Sequence, residues 1–335
     1  MTLLLLWRGM FIVGFLVPAT GSAADPATIA IAMRLDNISG FSTREKTFSV
    51  DGTLWLSYSD ELAGALDARN IKPIDLILFQ NRLNPWDSTI DQLTHGHARL
   101  ASGRQYSGYQ FAATFYANEI DYQHFPFGGI TLSVVVEPRV GAAELLGREL
   151  RVAVVPDGAE LGSRAGLSGY DLDRWAFVDE AYKRSTKIVG GAAATESRAV
   201  FNVYYTANNY AAAVKWVLPL TVVMLIMLLT PSLSGSLVSE RLAVPPTILL
   251  TIALMQQSYR ENLPSVPYLT FLDKLYAYSF VVTLAFFLSF IWAANAQRAS
   301  SRTDDVGQAG RRSRVDLATQ ALTLVGYILI VAISA

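Results

Sequence analysis

The sequence predicts a β-sandwich domain followed by a bundle of four membrane-spanning helices. Its 335 residues carry a formal net charge of −1 and have a positive mean hydropathy, which together favour a membrane protein with an attached polar domain. The apolar residues concentrate at the extreme N-terminus and after Ala211, whereas residues 25–210 have the mixed composition of a globular domain. We therefore predict a polar domain over residues 25–210 and a membrane domain over residues 211–335.

Residues 1–24 are predicted to form a signal peptide. The stretch is apolar apart from Arg8 and ends in Ser22-Ala23-Ala24, the small residues that a signal peptidase requires. The alternative is an anchor helix that is retained. Both interpretations export the residues that follow.

Alternating hydrophobicity predicts the strands of the exported domain. Residues 47–58 place apolar side chains at every second position, which is typical of a half-buried strand. The same alternation occurs at 130–136, and β-rich apolar runs recur at 151–155 and 200–205 between turn residues. Many short strands without an amphipathic helix predict a sandwich.

Four apolar runs after residue 211 predict the membrane spans, since about 20 helical residues cross a bilayer. The loop at 295–314 carries an excess of arginine, which marks the cytoplasmic side. With an even number of spans, the β-domain and the C-terminus then lie outside, in the periplasm of a cell with an inner membrane. The predicted spans are residues 212–232, 240–260, 267–294 and 316–335.

The second span carries a stripe typical of a pore lining. Steps of three and four residues from Glu240 define one helical face that is acidic at both ends and aliphatic in the middle. Repeated around a symmetry axis, Glu240 would form a ring that favours cations, and Leu250 with Leu254 would form a constriction. The alternative is a face that packs on neighbouring helices, with Glu240 paired to Arg241. The stripe comprises Glu240, Ala243, Thr247, Leu250, Leu254, Gln257 and Glu261.

Pro245 and Pro246 allow two possible starts for this helix. Prolines inside a helix remove hydrogen bonds and favour a kink. A helix that starts near Val244 would instead tolerate both prolines in its first turn and would leave Glu240 in a loop.

Three motifs resemble the prokaryotic pentameric ligand-gated ion channels, relatives of the Cys-loop receptors that lack the flanking cysteines. Residues 120–127 (IDYQHFPF) look like the family's loop that rests on the membrane domain. Residues 263–270 (LPSVPYLT) look like its linker between the second and third spans, and residues 239–242 (SERL) resemble the pore-helix entrance of cation-conducting members. The likeness covers essentially the whole mature chain.

The resemblance implies a homopentamer in the inner membrane that passes monovalent cations when a small ligand, or protons, act on the β-domain. It implies that the apolar loop presses on the linker, with Gly128 and Gly129 standing where many members carry an acidic residue. The implied gating contacts are Phe125, Pro126 and Phe127 against Pro264, Pro267 and Tyr268.

The same resemblance implies a ligand pocket between subunits that aromatic residues line. Trp55, Tyr58, Phe79 and Trp175 are candidates by position, although large aromatic residues also fill sandwich cores. The corresponding hairpin, residues 187–198, contains no aromatic residue. An aromatic cage for a quaternary amine is therefore not predicted, and the ligand stays unidentified.

The side chains available for chemistry exclude most enzyme classes. The chain has no cysteine and three histidines, so thiolate nucleophiles and thiolate metal sites are excluded. Neither a nucleophile elbow nor a phosphate loop occurs. We predict no enzymatic activity, no cofactor and no binding to nucleic acid. The main alternative to a channel is a membrane-anchored sensor of the same fold that conducts no ions.

The histidines support two further hypotheses. His95 and His97 alternate like one strand face and could share a metal ion with Asp87 or Asp91, but the spacing matches no motif and we predict no metal site. Protonation of His95, His97 and His124 could instead confer a response to acid, since imidazole titrates at about pH 6.5.

Overall fold

The computed structural model describes residues 26–94, 96–100, 103–184, 194–233, 237–300 and 319–332. The predicted signal peptide therefore lies outside the described residues. The described part of the first domain contains eleven strands. They are β1 (Ala27–Ser42), β2 (Thr47–Tyr58), β3 (Ile77–Phe79), β4 (Thr89–Gln92), β5 (Ala98–Arg99), β6 (Gln105–Tyr116), β7 (Glu119–Ile120), β8 (Ile130–Pro138), β9 (Leu150–Arg164), β10 (Tyr170–Arg184) and β11 (Ala194–Ala207).

These strands form two sheets that share one hydrophobic core. The first sheet has the order β4-β6-β2-β1-β9, with β5 also paired to β6, and the second has the order β10-β11-β8-β3, with β7 also paired to β8. β1 and β9 are parallel. Inward side chains of β2 and β11 meet in the core, as alternation along half-buried strands predicts.

Gly52 allows β1 and β2 to approach each other closely at a β-bulge. β1 bulges between Leu35 and Asn37, opposite Gly52 on β2. A Cβ at Gly52 would collide with the backbone oxygen of Arg34 and with the ring of Phe111. The close approach of the two strands therefore requires glycine at this position.

The first domain also contains two helices that the alternation argument did not predict. Helix α1 spans Asp60–Arg69 and buries Leu62, Ala63 and Leu66 in the core, and α2 spans Ala142–Leu146. Ser59 caps α1, because its side chain accepts a hydrogen bond from the Leu62 N–H. A helix this short gives only a weak periodic signal, which explains the missed prediction.

In the described part of the chain, three helices are long and apolar enough to cross a membrane. The first segment, Asn209–Ser232, combines α3 (Asn209–Ala212), a π-helical turn (Ala213–Val217), α4 (Leu218–Leu229) and a short 3₁₀ turn. The others are α5 (Val238–Arg260) and α6 (Phe271–Ser300).

A fourth helix, α7, is described only over Thr319–Ala332 and is shorter than a full span. It packs on the other helices through hydrogen bonds: the Ser279 and Tyr327 hydroxyls lie 2.6 Å apart, and the Gln320 amide donates to the Leu228 carbonyl at 2.8 Å. The predicted cytoplasmic loop lies outside the described residues from 301 onward. A four-helix membrane bundle therefore stays a prediction.

Candidate functional site

Helix α5 continues through its two prolines. It begins at Val238 with Pro245 and Pro246 inside it, so Glu240 lies in the first helical turn. Of the two starts that the sequence left open, the structure adopts the earlier one. Glu240 is therefore on the same helix as the aliphatic positions of the stripe.

One face of α5 packs in the helix bundle and the opposite face is uncovered in the protomer. Ile248 and Ile252 are 5% and 0% exposed, whereas Leu250 and Leu254 are each 63% exposed. Every residue of the predicted stripe is exposed, which is consistent with a pore lining but does not by itself assign that role. The exposed stripe residues are Glu240, Ala243, Thr247, Leu250, Leu254, Gln257 and Glu261.

At the start of α5 the two charged neighbours point to different partners. The Arg241 guanidinium donates to the carbonyls of Pro231 and Leu233 at the end of the preceding segment. Glu240 accepts a hydrogen bond from the Ser239 hydroxyl at 2.7 Å and is fully exposed. Because Arg241 is engaged with backbone oxygens, it does not neutralise Glu240.

At the other end of α5, the buried carboxylate of Asp273 joins α5 to α6. One carboxylate oxygen accepts from the Tyr259 hydroxyl and from the Arg260 guanidinium, the latter at 3.1 Å. The second oxygen accepts from the backbone N–H and the hydroxyl of Thr270, both at 3.1 Å. Asp273 is 8% exposed, and Tyr259 stacks on Tyr276 with ring centroids 5.2 Å apart.

Sequence reasoning missed this junction, although a signal was present. Thr270 and Asp273 have the spacing of a capping box, in which two side chains satisfy the first N–H groups of a helix. The Thr270 hydroxyl also accepts from the Asp273 N–H at 3.1 Å, which completes the box at the start of α6. Only the tertiary fold brings Tyr259 and Arg260 to the same carboxylate.

The loop between β1 and β2 contacts the C-terminal end of α5. The Thr43 hydroxyl donates to the Asn262 carbonyl at 2.9 Å, and the Arg44 guanidinium lies 3.4 Å from the Glu261 carbonyl. These carbonyls have no partner within the helix, and the helix dipole makes that end negative. The contact connects the β-domain directly to the helix that carries the stripe, and no sequence motif indicates it.

The apolar loop at 120–129 packs on the membrane helices through two aromatic contacts. Phe125 contacts Trp216 edge to face at 5.5 Å between ring centroids, and Phe127 contacts Phe271 at 5.7 Å. The Phe271 N–H donates to the Gln123 carbonyl at 3.0 Å. Pro126 is buried and follows a cis peptide bond. Trp216, in the π-helical turn of the first membrane segment, and Phe271, the first residue of α6, were not among the predicted partners.

The predicted linker partners lie beside these contacts. Pro264 is half-buried, whereas Pro267 and Tyr268 are exposed, and all three line a cavity of about 530 Å³ between α5 and α6. Burial, and then the nearby Tyr268 hydroxyl, raise the pKa of Tyr122 to about 12. The Tyr122 hydroxyl donates to the Thr43 carbonyl at 2.7 Å and so joins the two loops. The gating role of this interface stays a prediction.

The loop itself is closed by Asp121 and Gly128. The Asp121 carboxylate accepts from the Gln123 N–H at 3.0 Å and lies 2.6 Å from the His124 ring. A Cβ at Gly128 would overlap the Asp121 carbonyl oxygen. This packing explains why no acidic side chain stands at that position.

The four candidate ligand residues do not form one pocket within a protomer. Phe79 packs in the core against Phe111, with ring centroids 5.0 Å apart, and Tyr58 is fully buried. Trp55 is half-buried on the first sheet, and Trp175 is 40% exposed on the second. Their role in a pocket between subunits stays a prediction.

His97 belongs to a hydrogen-bonded chain rather than to a metal site in the described residues. Its Nδ1 lies 2.5 Å from the Tyr58 hydroxyl and its Nε2 lies 2.9 Å from the Asp67 carboxylate. The Tyr58 hydroxyl also contacts the Ser107 hydroxyl at 2.7 Å, and burial raises the pKa of Tyr58. His95, the other half of the predicted histidine pair, lies outside the described residues. No group of three or more metal-binding side chains comes together in the described part of the chain.

Comparison with known proteins assigns no family. No protein-family model matches the chain, and no curated protein matches it either.

Proposed function

We propose that the chain is one subunit of a homopentameric, cation-selective channel that opens when a ligand or protons act on its β-domain. The observation that carries the proposal is the uncovered face of α5. Leu250 and Leu254 are each 63% exposed, while Ile252, between them in sequence, is fully buried. A helix with one packed face and one uncovered aliphatic face requires either lipid or other subunits opposite the uncovered face.

The charged residues at both ends of the uncovered face indicate that other subunits and water, rather than lipid, lie opposite it. Glu240 and Glu261 lie on the same face as Leu250 and Leu254, and both are exposed. Charged side chains in membrane helices face water or protein because their burial in lipid is costly. Around a symmetry axis, Glu240 forms a ring that attracts cations, and the leucines form a constriction that closes by dewetting.

The apolar faces of the other helices fit the lipid. Val281, Leu288 and Trp292 of α6 are each more than half exposed, as residues that contact acyl chains would be. In this proposal the β-domain and the C-terminus lie in the periplasm, and the arginine-rich loop at 295–314 lies in the cytoplasm. The protein then spans the inner membrane four times.

Coupling between ligand and pore is proposed to pass through the contacts at the end of α5. Thr43 and Arg44 bind the terminal carbonyls of α5, and Asp273 ties the same end to α6. A twist of the β-domain would therefore pull directly on the helix that lines the pore. The apolar loop at 120–129 supplies the second contact.

The test is ion conduction by purified protein in a planar bilayer with a cation gradient. Because the activating ligand is unidentified, Leu250→Ala supplies a background in which the constriction is smaller and wets more readily. We expect currents that reverse near the cation equilibrium potential, and loss of that selectivity in Glu240→Gln. Glu160→Gln, which changes an exposed carboxyl on β9, is the matched control and should leave the reversal potential unchanged.

Three outcomes would reject the proposal. Anion-selective currents would exclude the acidic ring, and silence from folded pentamers of every variant would favour a sensor that does not conduct. Monomeric protein would exclude the symmetric pore altogether.

A further inference from the structure

A second site lies in the β-domain, away from the membrane helices. A cavity of about 200 Å³ opens between β3, at the edge of one sheet, and β4, at the edge of the other. At about 30 Å³ for each water, this space holds about seven waters or one small organic molecule. Its lining residues are Ile74, Asp75, Ile77, Leu78, Phe79, Arg82, Ile90 and Arg139.

Two arginines line this cavity without an anionic partner. The Arg82 Nε is buried and has no hydrogen-bond partner among the described residues, while one terminal nitrogen donates to the Ser88 hydroxyl at 3.2 Å. Within the described ranges, no ion pair joins Arg82 or Arg139 to a carboxylate. The guanidinium groups of Arg82 and Arg139 thus border one cavity, and an anion in that cavity would supply the charged partner that both lack among the described residues.

The electrostatics of the cavity point the same way. Burial, and then repulsion from Arg139, lower the pKa of Arg82. The one acidic residue in the lining, Asp75, accepts a hydrogen bond from the Lys72 N–H at 3.3 Å and is exposed. Both arginines therefore border the cavity, and Asp75 forms no ion pair with either of them in the described residues, an arrangement that an anion would stabilise.

The geometry of the guanidinium groups and the apolar lining of the cavity restrict the kind of anion that can bind. A guanidinium presents parallel N–H groups that match the two oxygens of a carboxylate. Most of the remaining lining is aliphatic or aromatic, including Ile77, Phe79 and Ile90, so an apolar body would be favoured over a second charge.

We propose that this cavity binds a small monocarboxylate with a short apolar body, its carboxylate held by Arg82 and Arg139. The site is complete within one protomer. It does not rest on ion conduction, because binding is measured without current.

The test is calorimetric titration of the full-length protein in detergent with benzoate, and with benzamide as the neutral probe of equal shape. We expect saturable binding of benzoate only. Loss of one charge-assisted, two-pronged contact should weaken binding about tenfold or more in Arg82→Gln. Arg139→Gln tests the second contact with little risk to folding, since Arg139 is exposed. Arg99→Gln, which removes an exposed arginine paired with Asp60 elsewhere, is the control and should bind normally.

Three results would overturn the proposal. Benzoate and benzamide could bind equally, which would leave the cavity apolar rather than anion-specific. Benzoate could bind unchanged in both arginine variants, which would place its site elsewhere. Failure of the wild-type protein to bind benzoate, with folding verified by its thermal transition, would reject the monocarboxylate. A silent channel that still binds benzoate would reject only the proposed pore.

Discussion

Replacement of Asp273 by asparagine tests the junction between α5 and α6. The carboxylate accepts four hydrogen bonds, from the Tyr259 hydroxyl, the Arg260 guanidinium and two groups of Thr270. Asparagine keeps the volume but removes the charge and turns an NH₂ group towards two of the donors.

The expected loss follows from those contacts. A hydrogen bond to a charged group contributes about 1.5–3 kcal/mol, and Asp273→Asn removes at least one such bond and weakens the helix cap. We therefore expect the free energy of unfolding to fall by about 3 kcal/mol. The Arg260 side chain is 56% exposed, so water compensates for part of its lost contact.

The assay is denaturant unfolding in detergent, with hydrogen exchange at the C-terminal turn of α5 as the local readout. Asp87→Asn, an exposed carboxyl in the loop between β3 and β4, is the control and should change stability by less than about 0.5 kcal/mol. An Asp273→Asn protein as stable as that control, with unchanged exchange at α5, would refute the proposed role of Asp273 as the link between the helices.

Three further predictions concern single contacts. The pKa of Tyr122 is about 12 in the folded state against an ordinary 10.0, so the unfolded state binds fewer protons between these two pH values. The contribution of Tyr122 to the free energy of unfolding is therefore full below pH 10 and is lost as pH rises through about 12. Tyr122→Phe should reduce this loss in alkaline unfolding curves. Gly128→Ala should lower stability by about 1–3 kcal/mol in thermal unfolding, because the added Cβ overlaps the Asp121 carbonyl oxygen. Gly326→Ala should loosen α7, measured as faster proteolysis of the C-terminal helix, because its Cβ would overlap the Tyr278 ring.

Each of these has a matched control. Gly166→Ala adds a Cβ that meets no atom within 4 Å and should leave stability and proteolysis unchanged. Tyr210→Phe changes a tyrosine that is 81% exposed and should leave the alkaline unfolding curve unchanged. Equal effects of a control and its test variant would contradict the corresponding contact.

Periodicity predicted the parts of the fold that repeat. The alternation at 47–58 corresponds to β2, and three of the four apolar runs correspond to helices long enough to cross a membrane. Both signals are strong because burial on one face, or in lipid, constrains every residue of the element. The short helix α1 was missed because its cap and one buried turn involve too few positions to show a period.

The candidate site was predictable where it lies on one helix and not where it joins several. The stripe on α5 follows from helical spacing alone, and all of its residues are exposed. Asp273 of α6 meets Tyr259 of α5 across the linker between the two helices, and Thr43 meets Asn262 across 219 positions of sequence. Neither contact has a periodic signature, because tertiary packing brings these residues together. The pairing of Arg82 and Arg139 in the cavity could not be predicted for the same reason.

The most direct test of the central claim is the water accessibility of the α5 face. The native chain has no cysteine, so single cysteines report individual positions without background. Leu250 and Leu254 of α5 are as exposed in the protomer as Leu288 of α6, at 63%, 63% and 57%. In membranes, a charged thiol reagent should modify cysteines at the α5 positions rapidly and at the α6 position slowly, because in the proposed channel α5 faces water and α6 faces lipid. Equally slow modification at all three positions would place α5 against lipid or protein and contradict the proposed pore.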